Sequence, residues 1–246
     1  MPELVGTPSD EVKAVLATGR TEVTTIFVSM SARHPEGDDL EYLEWHCYDH
    51  RPEQSRLRSL SGSLRLVSTP ACRAARIVSD ERYDAADHVM TYLFTNVSGL
   101  EQFNALGQAL NGAGRIPYLL PMVERGVYGL GRMAAAPRVK VGADVLPWWP
   151  STGVLLLVER GQAPASELAG VPAVAGAWWA AGVPVDEPYS VADITELQLT
   201  YCFLDDDPAA AAERLRPVLE TRWAESEVKG TKISISALNW DDVGST

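Results

Sequence analysis

The 246-residue sequence contains only three cysteines, Cys47, Cys72 and Cys202, and no two of them form a CxxC pair. An odd number of scattered thiols argues against a disulfide framework and is typical of a reducing compartment, so we expect a cytoplasmic protein. Long hydrophobic runs are also absent. The longest aliphatic stretch is 154–158, whereas a membrane-spanning helix needs about 20 apolar residues. The acidic first residues have no apolar core, so we expect neither a signal peptide nor a membrane partner.

Basic residues are few. The chain has 21 lysines and arginines and 33 acidic residues, which gives a formal net charge of −12. Such a chain repels phosphate backbones, so we expect no nucleic-acid partner. The sequence has no GxSxG motif, no P-loop and no GxGxxG after a strand. We therefore expect no flavin, haem, nicotinamide or other cofactor. Apolar residues make up 46% and charged residues 22%, which is typical of a folded globular protein.

Sequence patterning divides the chain into two similar series of elements. After a polar lead-in, 1–20, residues 21–139 predict the order β, α, β, β, α, β. A linker that contains two prolines, 140–150, separates this first unit from a second unit, 151–246. The second unit has so little chain between its first two strands that its first helix is predicted to be short or lost.

The clearest similarity between the two units is a strand, a helix cap and a helix, in 89–110 and again in 197–219. A βαββαβ sheet carries helices on only one face, so its other apolar face must be covered. Two such sheets in one chain can cover each other. This predicts an α+β protein with a barrel-like core and outer helices, a monomer that imitates a dimer. A further homodimer remains open.

The helix predicted at 40–57 carries the most unusual residues of the chain. His46 and His50 are four residues apart and share a helix face, and Asp49 and Glu53 extend the same stripe. A carboxylate beside a histidine can fix its tautomer and raise its pKa, which suits general acid/base chemistry near neutral pH. We predict that these four residues are catalytic. Pro52 is expected to kink or end the helix.

Two other interpretations of this stripe are open. It could be a solvated helix face whose charges satisfy one another. Alternatively, His46 and His50 could bind a metal ion, with Glu53 or His88 as a third ligand. Because the HExxH pattern is absent and an isolated pair at this spacing is a weak signal, we expect no metal.

Four further residues are predicted to contact a substrate. Trp45 and Tyr48 flank the histidine stripe. The strand predicted at 88–97 places His88 and Tyr92 on one face, because alternate residues of a strand point the same way. If that face borders a cavity, both become polar groups of the site. The alternative for His88 is a histidine at a strand end, partly in water.

With these elements in place, the chain resembles the dimeric α/β-barrel superfamily. Its segment 45–53, WHCYDHRPE, resembles the motif of EthD-like proteins, in which an aromatic residue precedes an acidic residue, His, any residue, Pro and an acid or leucine. The matching positions are Trp45, Asp49, His50, Pro52 and Glu53. The resemblance implies two ferredoxin-like units and a small, apolar or aromatic ligand held between sheet and helices. No histidine follows His88, so one functional cavity per chain is expected.

Three functions fit these residues. The leading hypothesis is a cofactor-free cyclase or isomerase that acts on an apolar or aromatic carbonyl compound, with His50 as general base or acid and Asp49 or Glu53 orienting it. The second is a cofactor-free monooxygenase, in which the same base makes a substrate carbanion that meets oxygen. The third is a small-ligand-binding or interaction protein without activity. Fold resemblance alone does not separate the three.

Overall fold

The computed structural model describes residues 23–78, 80–161, 166–185, 189–190, 192–225 and 233–238, so the predicted lead-in, 1–20, lies outside the described residues. The strands in this part are β1 Thr25–Ser31, β2 Leu60–Val67, β3 His88–Phe94, β4 Met122–Ala135, β5 Gly153–Arg160, β6 Val174–Gly182, β7 Leu197–Leu204 and β8 Ile233–Leu238. The helices are α1 Asp39–Trp45, α2 Arg51–Gln54, α3 Pro70–Ala74, α4 Gly99–Gly112 and α5 Pro208–Glu225. A π-helical turn, His46–His50, joins α1 to α2, and two 3-10 turns span Ala143–Trp148 and Ser166–Gly170.

The strands close into a barrel in the order β1-β3-β2-β8-β5-β7-β6-β4. Within the first unit the order across the sheet is β4-β1-β3-β2, and the second unit repeats it as β8-β5-β7-β6. All pairings are antiparallel. This is the strand order of a ferredoxin-like βαββαβ unit. The predicted fold class, two such units in tandem that form a barrel within one chain, is confirmed.

The barrel interior is filled by one face of each sheet. On β5, Val154, Leu156 and Val158 belong to the inner core, whereas Leu155 and Leu157 on the opposite face pack in a second cluster with α5. This alternation follows from the two-residue period of a strand. The two sheets also share a buried hydrogen bond, because the Thr91 hydroxyl of β3 lies 3.0 Å from the Tyr201 hydroxyl of β7. The two sheets therefore face each other, as predicted.

The observed elements differ from the prediction in the segment after β2. The sequence offers a second possible strand piece at 73–78, after the one at 63–69, but α3 occupies Pro70–Ala74. Thr69 caps this helix, since its side-chain oxygen accepts a hydrogen bond of 3.2 Å from the Cys72 backbone N–H, and Pro70 stands in the first turn, where a missing N–H costs nothing. In the second unit the first helix is reduced to the 3-10 turn Ser166–Gly170, as expected from the short connection.

No helix in the described part of the chain is long and apolar enough to cross a lipid bilayer.

Candidate functional site

The histidine stripe lies where the first helix widens. Pro52 has no N–H with which to bond the carbonyl of Tyr48, and its ring crowds that carbonyl. The helix neither ends nor breaks there. Instead His46–His50 form a π-helical turn, in which the Arg51 N–H donates to the His46 carbonyl five residues back. Single π-turns of this kind are frequent at functional sites.

The widened turn places the two imidazoles side by side. The ring centroids of His46 and His50 are 5.6 Å apart, and the Trp45 ring stacks on His50 at 4.8 Å. His46 is only 3% exposed, and its Nε2 lies 3.4 Å from the Tyr92 hydroxyl of β3. His50 is half-buried. His46 and His50 thus lie between the helix and the outer face of the first sheet, and together they form a histidine layer.

Gln54 connects these groups into one polar network. Its side-chain nitrogen lies 2.9 Å from Nε2 of His50 and also donates to the Tyr92 hydroxyl, whereas its carbonyl oxygen is buried without a hydrogen-bond partner among the described residues. An amide presents a donor on one side and an acceptor on the other, so a half-turn of Gln54 changes which imidazole nitrogen carries the proton. Nδ1 of His50 and Nδ1 of His46 are both buried without a hydrogen-bond partner among the described residues.

A second group of hydrogen-bonded side chains, Arg65, His88 and Asp39, lies beside this network. Nη2 of Arg65 lies 2.9 Å from Nδ1 of His88, and Nε2 of His88 lies 2.6 Å from the Asp39 carboxylate. Because a guanidinium can only donate, Nδ1 accepts and the His88 proton is on Nε2, directed at Asp39. The Tyr42 ring contacts both His46 and His88. The interpretation of His88 as a histidine partly in water is wrong, since His88 is buried.

The carboxylates of the predicted stripe have a different partner from the one expected. Arg115, which follows α4, pairs with Asp49 at 3.0 Å and with Glu53 at 3.2 Å. The Arg115 carbonyl also accepts a hydrogen bond from the indole N–H of Trp45 at 3.0 Å. The structure therefore gives His50 an amide, Gln54, as its hydrogen-bond partner in place of a carboxylate.

The predicted substrate contacts divide into buried and exposed side chains. Trp45, His88 and Tyr92 lie within the network just described. Tyr48 lies on the outer side of the helix with 69% of its surface exposed. Sequence reasoning did not select Tyr42, Gln54 or Arg65. Only Gln54 carried a signal, because it stands four residues after His50 and a helix brings such positions together.

Burial keeps all three histidines neutral at pH 7. It lowers the pKa of His46 to about 2, helped by the positive charges of Arg65 and Arg51. It also lowers the pKa of His88 to about 4, although Asp39 opposes this. For His50, burial lowers the pKa, Asp49 raises it and Arg115 lowers it. The carboxylate effect expected from the sequence is present, but burial outweighs it.

Opposite shifts of the His50 pKa are expected when its two charged neighbours are removed. Arg115→Gln removes a repelling charge and releases Asp49, so the pKa of His50 rises. Asp49→Asn removes an attracting charge, so the pKa falls. Both are measured by NMR titration of the imidazole C–H signals, with His50→Gln to assign the resonance. Shifts in the same direction for both variants would show that these charges do not act on His50.

The described residues bring no three His, Cys, Asp or Glu side chains together in a way that could hold a metal ion. The two third ligands considered above are engaged elsewhere, since Glu53 pairs with Arg115 and His88 with Asp39.

A cavity of about 450 Å³ adjoins the histidine layer. It follows the edge of β2, which within the described residues pairs with β8 only from Val67 to Leu238. Its lining includes two arginines, Arg51 and Arg65, and two tryptophans, Trp148 and Trp149. His50 is not part of this wall, although the next residue of the helix is.

Comparison with known proteins gives a shared fold. No family model matches the chain, and no curated protein matches it. Among solved structures, an anthrone oxidase-like protein is 11% identical with a TM-score of 0.52, covering 88% of this chain and 91% of that one. A candidate monooxygenase from Fusobacterium nucleatum subsp. nucleatum is 7% identical with a TM-score of 0.50, covering 88% and 93%. At these identities the likeness shows a shared fold, and that fold is of the dimeric α/β-barrel type.

Proposed function

We propose that the protein is a cofactor-free monooxygenase that acts on an enolisable aromatic compound, with His50 as the catalytic base. The observation that carries the proposal is the π-helical turn that holds a half-buried, neutral His50 against Gln54. The two structural neighbours are named as an anthrone oxidase-like protein and a candidate monooxygenase. These names favour oxygen chemistry over the cyclase or isomerase hypothesis.

His50 is a better base than the other two histidines. An imidazole must be neutral to accept a proton, and all three satisfy this condition at pH 7. His46, with a pKa lowered to about 2, binds a proton only at a large cost. His88 already has both ring nitrogens engaged, by Arg65 and Asp39. His50 is the least buried of the three and has its Nδ1 without a protein partner in the described chain.

Gln54 and Tyr92 act as positioning residues in this proposal. This role needs the Gln54 amide turned by 180° from the orientation described above, in which its nitrogen faces Nε2. With the carbonyl facing Nε2, Nε2–H donates to it and the lone pair on Nδ1 is free to take a proton. The imidazolium that forms keeps the same hydrogen bond, which is now charge-assisted and stronger. In that turned orientation the Gln54 carbonyl can also accept a hydrogen bond from the Tyr92 hydroxyl, and this second bond holds the amide in place.

The reaction balances without a cofactor. His50 removes a proton from an acidic CH₂ group flanked by aromatic rings or a carbonyl, and the electron pair is delocalised as an enolate. The carbanion transfers electrons to O₂, and a C–O bond forms at that carbon. The peroxide anion that results takes the proton back from His50. Loss of the remaining C–H proton with cleavage of the O–O bond then releases water and leaves a ketone. The sum is one CH₂ substrate and one O₂ converted to one C=O product and one H₂O.

Oxygen uptake tests the proposal. Purified protein is mixed with anthrone in an oxygen electrode cell, and the spontaneous rate without protein is subtracted. We expect one O₂ consumed per anthraquinone formed and no product under nitrogen. Turnover of an enolisable ketone under nitrogen, seen as hydrogen–deuterium exchange without oxidation, would favour the isomerase hypothesis instead. Binding without either reaction would favour the non-catalytic hypothesis.

A further inference from the structure

The wall of the cavity at the edge of β2 is positively charged in an acidic protein. The chain as a whole carries a formal net charge of −12. Among the described residues that line the cavity are two arginines, Arg51 and Arg65, and no aspartate or glutamate. Local charge of this sign, opposite to that of the whole molecule, indicates a specific electrostatic role.

Neither guanidinium has a carboxylate partner within the described residues. Arg51 donates from Nε to the Ser63 hydroxyl at 2.8 Å and from Nη2 to the Ser63 carbonyl at 2.9 Å, both uncharged acceptors. Arg65 donates to neutral His88, and its Nη1 lies 3.4 Å from the Tyr42 hydroxyl. Arg65 is linked to the Asp39 carboxylate only indirectly, through His88.

Arg65 is also incompletely satisfied. It is 8% exposed, and its Nε is buried without a hydrogen-bond partner among the described residues. Its hydrogen bonds to His88 and Tyr42, and the Tyr42 ring 4.8 Å from its Cζ, replace part of its lost hydration, but none of them supplies a counter-charge. Its uncompensated field is evident at His46, whose pKa it lowers. An anion in the cavity would supply the missing charge.

The lining of the cavity is also partly aromatic. Trp148 is 46% exposed and lies against Gly62 of β2, where a Cβ atom would come within 3.1 Å of the indole ring. Glycine at this position therefore lets the ring pack close to the strand. Trp149 and Leu93 extend the apolar side of the cavity. A volume of about 450 Å³ suits a ligand of two or three fused rings.

We propose that this cavity binds a planar aromatic anion, a carboxylate or phenolate, with its charge at Arg51 and Arg65 and its rings against Trp148 and Trp149. This is a binding site, and it stands whether or not His50 is a catalytic base.

A matched pair of ligands tests the proposal by binding alone. The probes are 9-anthracenecarboxylate and 9-anthracenemethanol, which share the same rings and differ in charge, and binding is followed by quenching of tryptophan fluorescence at low salt. We expect the carboxylate to bind roughly 10–100-fold more tightly, which is the usual gain from a hydrogen bond to a charged group. Added salt should reduce this preference. Equal affinities for the two probes would overturn the proposal.

Two arginine substitutions in the cavity wall and one control substitution outside it locate the site. Arg51→Gln should remove most of the preference for the carboxylate. Arg58→Gln makes the same charge change at an exposed arginine between α2 and β2 and should leave it intact. Arg65→Gln should act like Arg51→Gln where the variant folds, as judged by circular dichroism. If Arg51→Gln and Arg58→Gln weaken carboxylate binding equally, the ligand responds to overall charge and the cavity is not its site. Because no turnover is measured, these results are independent of the oxygen-uptake experiment.

Discussion

His50→Gln is expected to lower the turnover number roughly 100- to 10,000-fold on any substrate that the protein oxidises, because a positioned general base contributes about that much. This corresponds to about 3–5 kcal/mol of activation free energy. Glutamine has similar bulk and can keep a hydrogen bond to Gln54, so the network around Tyr92 is preserved. Its amide, however, cannot accept a proton near neutral pH. The loss should therefore appear in kcat, measured as oxygen uptake, with little change in KM.

The control is His34→Gln, which replaces a histidine in the loop before α1. Nδ1 of His34 accepts a hydrogen bond from the Glu36 N–H at 3.2 Å, and its ring has no contact with the histidine network among those observed in the described residues. This variant should retain full turnover. A His50→Gln protein that folds and turns over at the wild-type rate would make His50 a packing residue and remove the main support for the enzyme hypothesis.

The fold was predictable because its signals are local and repeated. Two stretches with strand composition, 153–159 and 195–204, correspond to β5 Gly153–Arg160 and β7 Leu197–Leu204. Each sheet has helices on only one face, so its other apolar face must be covered. Few packings of two such sheets achieve this, and the closed barrel is one of them. The possible strand piece at 73–78 did not form because its β-forming residues follow Pro70, and the helix cap at Thr69 takes precedence.

The candidate site was predictable only in part, because its partners come from distant segments. Helical spacing was enough to pair His46 with His50. It could not show that Arg115, more than 60 residues away, takes both Asp49 and Glu53. Nor could it reveal Arg65, which reaches His88 only because β2 pairs with β3. A proline such as Pro52 can end a helix, kink it or widen one of its turns. Here the imidazoles pack against the sheet, and this packing favours the widened π-turn.

Acid should destabilise the protein through His46. Between pH 6.5, the ordinary pKa, and about 2, the lowered pKa in the folded state, the unfolded imidazole is protonated while the folded one remains neutral. The unfolded state then binds one more proton, so the free energy of unfolding falls as the pH falls. The full slope is about 1.4 kcal/mol per pH unit for this residue, or roughly 3 kcal/mol lost by pH 4.5. His88 adds a similar loss that ends near its own pKa of about 4.

His46→Gln isolates this contribution, because glutamine does not titrate in this range and can still hydrogen-bond the Tyr92 hydroxyl. The substitution alters stability at neutral pH by an unknown packing cost, so the slopes are compared and not the absolute values. Urea unfolding at pH 7.5, 6.5, 5.5 and 4.5 should give parallel lines above pH 6.5 for the two proteins. Below it, the wild-type line should fall more steeply, by about 1.4 kcal/mol per pH unit. If the two lines remain parallel down to pH 4.5, His46 takes up a proton in the folded protein, and the histidine layer is open to water and not sealed between helix and sheet.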